Sequence, residues 1–228
     1  RDLHSFPTRR SSDLEPADIT VPNSVPAYIS VNYSTQNAGG WSWGNLRNIN
    51  YFLENYNNPG IPEKARNHFA GIARFFRAYF YFNMVKQFGD VPWYRKTLTI
   101  EDQDLYKKRD SRTLVMDSVM ADINFACENI YATKDNSATQ VTKWVALALK
   151  SRIALFEGTF RKYHTQLGLT ATANQWLQVS ADAAEELMKS GQYKLQNTGA
   201  PEKDYRSLFI SENPVSNEVL LAAVYNRF

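Results

Sequence analysis

A chain of 228 residues, 43% hydrophobic and 14% aromatic, is long enough to bury a sizeable core. Lys+Arg 26 against Asp+Glu 23 leaves a formal charge of only +3, and the basic cluster Lys107-Lys108-Arg109 is flanked by Glu101, Asp102, Asp104 and Asp110, which argues against a nucleic-acid-binding stripe. A lone cysteine, Cys127, excludes a disulfide framework, and no run approaches the ~18 apolar residues that a membrane-spanning helix needs.

Residues 1–14 (RDLHSFPTRRSSDL) have no periodicity and resemble translated sequencing-adapter read-through, so a non-native or disordered tail is expected there, with the organised chain at 15–228. The next stretch, residues 15–40, has prolines at 16, 22 and 26 and ends Asn37-Ala-Gly-Gly40, a loop composition. It carries Tyr33, Gln36 and Asn37, side chains that stack on sugars or bond their hydroxyls; an exposed linker is the alternative. Trp41 follows the glycine pair and falls outside the helical spacing that begins at Trp43, so it is either a stacking residue or a helix-start packing residue.

A first helix is expected over 42–55, where Trp43, Leu46, Ile49, Asn50, Leu53 and Tyr56 step three and four apart. The second enters through Pro62 and carries Phe69, Ile72, Ala73, Phe76, Tyr79, Phe80, Phe82 and Met84 on a broad apolar face. Gly89-Asp90 stops it, and Pro92 holds the chain extended. A third helix starts at an Asp110 or Ser111 cap and runs to about 131, with Leu114, Val115, Val119, Ile123, Ala126 and Ile130 inward. The fourth covers 142–163 and the fifth 174–190, closed by Gly191. Residues 193–195 and 218–225 read as short strands. The small residues Ala146, Ala148, Ser151 and Ala154 suit close helix approach. The expected fold is therefore mainly α, built of tetratricopeptide-like helix pairs with long loops. The first and second helices pair, as do the third and fourth, with Phe76, Phe80, Leu147 and Ile153 buried between them.

The second helix also carries a resemblance. ARFFRAYFYFNMVKQFGDVPWY, ending at Tyr94, and the preceding WSWGNLRNINYFLEN, ending at Asn55, resemble the two adjacent signature helices of the SusD/RagB family. Members of that family are surface lipoproteins that bind glycans or other nutrients and cap a TonB-dependent, SusC-like transporter in the outer membrane. The resemblance spans about 18–228, whereas members usually run more than twice this length. It implies a helix-pair scaffold, an oligosaccharide ligand, a SusC-like partner, and a surface-exposed location through a lipid anchor absent from a fragment cut at both ends.

Catalytic and metal chemistry find little support in the residues. His4, His68 and His164 are far apart, with no Cys or carboxylate at ligand spacing, and no nucleophile or phosphate-loop motif occurs. Glu101/Asp102 and Glu185/Glu186 are sequence neighbours, whereas glycosidic cleavage needs carboxylates facing each other across a cleft. Trp93 and Tyr94 are candidates for exposed aromatic residues, but the family resemblance implies that their turn is structural; Arg74 and Arg77 read as partners of buried carbonyls or carboxylates. The expectation is a non-enzymatic binding protein without cofactor, holding oligosaccharide at Tyr33, Asn37 and Trp41. An intracellular helical-repeat adaptor is the alternative, and an all-helical glycoside hydrolase a more distant one.

Overall fold

The structure, a computed structural model, describes residues 41–224. Tyr33, Asn37 and the tail at 1–14 therefore lie outside the described residues. The chain divides into two compact units, one of residues 42–195 with 216–228, the other of residues 1–41 with 196–215.

Among the described residues the larger unit holds five α-helices: α1 Gly44–Asn55, α2 Glu63–Phe88, α3 Arg112–Asn129, α4 Lys143–Tyr163 and α5 Ala173–Lys189. Each runs antiparallel to the next. On α2 and α3, His68 meets Tyr131, Arg77 meets Asp122, and the α2 end at Asp90 meets Arg112. On α4 and α5, Lys143 meets Glu186 and Ser151 meets Ser180. The closest packing is α2 on α3 and α4 on α5, with α1 lying more loosely on α2. That shifts the expected pairing by one helix. The cause is local: Gly71 and Gly158 bring those backbones together, since a Cβ on Gly71 would stand 2.9 Å from Ile130 and one on Gly158 2.8 Å from Leu177.

Within α2 the seam toward the core is Gly71, Phe75, Ala78, Phe82 and Val85, with Ala70, Ala73, Arg77, Tyr81 and Met84 beside it. Phe82, Leu147 and Ile153 are buried as expected and Phe80 is half-buried. Phe76 is a correction: it is 43% exposed, as are Phe69 and Tyr79 to a similar degree. Leu114 also points outward from α3, whose buried line is Val115, Met116, Val119, Ile123, Ala126 and Cys127.

Helix ends follow their chemistry. Ser111 caps α3 by accepting from the Leu114 N–H at 3.3 Å. Gly89, at φ 71°, closes α2 with its N–H on the Val85 carbonyl, and Gly191 takes φ 65° just after α5. Pro62 occupies the residue before α2, where no helical N–H is lost. Among the described residues the expected short strands form no ladder: Lys194 N–H donates to Asn217 O, Ala222 N–H to Ala138 O, and Val91 with Asp110 makes an isolated bridge. In the smaller unit a further helix, α6 Pro201–Ile210, was not anticipated; it begins with proline at its first position and Glu202 and Asp204 in its first turn.

Candidate functional site

The turn after α2 is built for structure. The Asp90 carboxylate accepts the Arg112 N–H at 2.8 Å, and Asp110 accepts both the Trp93 N–H and the Lys107 ammonium at 2.7 Å. Tyr81, fully buried, donates its hydroxyl to Pro92 O and accepts the Tyr94 N–H at 2.6 Å. Burial raises the Tyr81 phenol well above its ordinary pKa, so it stays protonated to hold both bonds. Asn50 on α1 donates to the Tyr94 and Lys96 carbonyls, fastening the same loop. Trp93 lies 4.2 Å from Tyr81, with the Arg77 guanidinium on its ring. Trp93 and Tyr94 are thus committed to packing, as the family resemblance implied.

Alternate tryptophans precede α1. Trp43 is half-buried against Phe80, Tyr81 and Tyr94 at 5.5–6.3 Å. Trp41 is 44% exposed. Of the three residues proposed from sequence, Trp41 alone is described, and it presents accessible aromatic surface.

Two aromatic residues that sequence reasoning passed over line surface hollows at the other end of the helices. The first, about 720 Å³, lies between the start of α2 (Glu63, Lys64, Asn67) and the end of α3 (Glu128 to Thr133), with Tyr131 on its wall. The second, about 530 Å³, is lined by Trp144, Asp182, Glu185, Glu186, Lys189 and Ser190. The signal for Tyr131 was its position two residues beyond a helix end, in a loop between Asn129 and Thr133.

Elsewhere the charged groups brace the scaffold. Glu157, fully buried, accepts from Arg112 at 2.7 Å and Arg161 at 2.8 Å. Glu185 and Glu186 pair with Lys189 and Lys143. Asp102 is held below the ordinary carboxylate pKa, first by the Thr99 N–H and then by Lys96. Among the described residues no group of three His, Cys, Asp or Glu is placed to hold a metal, and no helix is long and apolar enough to cross a membrane.

The larger unit is thus a stacked antiparallel helical scaffold of the helical-repeat class. Residues 21–155 match the family profile described as "Starch-binding associating with outer membrane". The chain is 26% identical over 159 residues to SusD-like protein P25 of Formosa agariphila, covering 66% of this chain and 29% of that protein. A crystal structure of a SusD-like protein from Bacteroides fragilis superposes with a TM-score of 0.64 at 28% identity, over 80% of this chain and 32% of the other. A SusD superfamily structure from Parabacteroides distasonis shares the fold, with a TM-score of 0.60 at 22% identity over 74% and 35%. The chain belongs to the SusD-like family. It spans about a third of the length of these relatives.

Proposed function

We propose that this protein binds oligosaccharide nutrients without chemical change at the outer-membrane surface, where a lipid anchor holds it, and delivers them to a SusC-like TonB-dependent transporter. Carbohydrate binding is the property of the family; the delivery step, the lipid anchor and the SusC-like partner are the proposed extension. The observation carrying the reading is the exposed Trp41 ring, in contrast to Trp43 two residues on, which is packed inward. A pyranose presents one face of C–H bonds that stacks on such a ring, while its hydroxyls need planar amides and phenols. Tyr33 and Asn37, which precede Trp41 in the sequence, are proposed to supply them.

An aromatic contact contributes roughly 0.5–1.5 kcal/mol beyond its buried area, so losing it weakens binding by up to about tenfold. The test is calorimetric titration of the protein and its Trp41→Ala variant with maltoheptaose and laminarihexaose, with circular dichroism to check the fold. A tenfold loss with the fold intact supports the site; affinities within twofold for every bound glycan would remove Trp41 from it.

A further inference from the structure

We propose that the hollow between the start of α2 and the end of α3 is a second glycan subsite, taking neutral hexose units stacked on Tyr131. It rests on the glycan reading above.

The case begins with the ring. Tyr131 is 37% exposed, and its ring lies parallel to the His68 imidazole, centroids 3.8 Å apart and planes 2° from parallel. The Tyr131 N–H donates to His68 Nδ1 at 3.1 Å, so backbone and ring are fixed by the same partner. Burial lowers the His68 pKa, which favours the neutral imidazole that this acceptor role requires. A ring that is already immobile loses little conformational freedom when a ligand settles on it, and less of the contact energy is offset.

The groups around the ring match hydroxyls. Glu63 and Glu128 offer acceptors, Lys64 donors, and Asn67 an amide that does both, while the Asn129 Nδ2 already donates to the Phe125 carbonyl at 2.9 Å. The Lys64 ammonium stands 5.7 Å from the Tyr131 centroid. Two carboxylates against one lysine disfavour phosphate, sulfated or uronic ligands, which would face net negative charge. The volume of about 720 Å³ falls in the range of about 300–1,000 Å³ usual for small-molecule sites.

The arrangement also suits a chain rather than a single ring. Ala132 lines this hollow, and its carbonyl accepts the Trp144 indole N–H at 2.7 Å; Trp144 in turn lines the neighbouring hollow with Asp182, Glu185 and Glu186. Two aromatic residues thus stand in sequence along one end of the helices. This end is remote from Trp43: His68 and Tyr81 are thirteen residues apart on α2, roughly 20 Å at about 1.5 Å per residue.

The experiment titrates the full chain with maltoheptaose, laminarihexaose, cellohexaose and mannohexaose by calorimetry, following tryptophan fluorescence in parallel. The variants are Tyr131→Ala and the double change Asn67→Ala with Glu128→Ala, whose two side chains line the hollow. Expected is a binding phase that Tyr131→Ala and the double variant each weaken about three- to tenfold. If Tyr131→Ala loses its circular dichroism signal, the double variant decides alone. Glycan binding that neither hollow variant alters overturns the subsite while leaving the glycan reading in place. No binding to any probe by the unaltered chain overturns both.

Discussion

Arg77 sits in the buried seam of α2, where a cation is stable only with its charge matched. Its Nε and Nη2 donate to the two Asp122 oxygens at 2.6 and 2.8 Å, and its Nη1 to Asn50 Oδ1 at 3.2 Å. That bidentate geometry is specific to a guanidinium, so lysine is no substitute. Removing one partner strands the other: Arg77→Met should cost about 3–5 kcal/mol in urea unfolding, because Asp122 would remain buried with only Arg74, 3.9 Å away, to balance it. Adding Asp122→Leu should recover most of that loss. A single variant costing under ~1 kcal/mol would mean that Asp122 gains water or another cation. The sequence pointed Arg77 toward a carbonyl or carboxylate but could not choose Asp122, because 45 residues separate them and only the α2–α3 register joins them.

At the scale of the helix, α2 shows where periodicity loses its power. Aromatic residues stand on every face, so the spacing of Phe69, Phe76 and Tyr79 looked as apolar as that of the true seam. The distinguishing residues are the smallest ones: Ala70, Gly71 and Ala78 mark where α3 comes close, and Phe75 lies on that side. Phe75→Ala should therefore cost about 3–5 kcal/mol. Phe76→Ala, one residue away, should change stability by no more than about 1 kcal/mol. Equal losses in chemical denaturation would mean that Phe76 is covered in solution. Helix α6 escaped notice for a related reason, since Asp204 is its sole buried residue and its apolar stripe, Tyr205, Leu208 and Phe209, is confined to a ten-residue helix. The ends of α3 and α5 were legible, because Ser111 and Gly191 act through their own short-range chemistry. The Tyr131 hollow was not, because its parts lie on residues 63–67 and 128–133 and meet only after folding.

Across the larger unit, two buried ionic clusters share one helix. Arg77–Asp122–Asn50 joins α1, α2 and α3, while Arg112–Glu157–Arg161 joins α3 to α4 and reaches Thr172 and Trp176 at the start of α5. Helical-repeat arrays can unfold in pieces when neighbouring repeats are weakly coupled. Here, opening either pair of helices would expose charges whose partners lie on α3, so the five helices should unfold as one unit. Cys127 provides the probe. It is buried on α3, and burial pushes its thiol up to about 11. Thiolate is therefore scarce in the folded state at pH 8, and labelling by a disulfide reagent should wait for unfolding. The unfolded thiol, with an ordinary value of 9.0, ionises first, so stability should also fall as pH climbs from about 9 to about 11. At pH 8, the labelling midpoint in urea should coincide with the loss of far-ultraviolet circular dichroism. Labelling that precedes the loss of helix would show α3 opening alone, and with it that the two clusters do not couple the array.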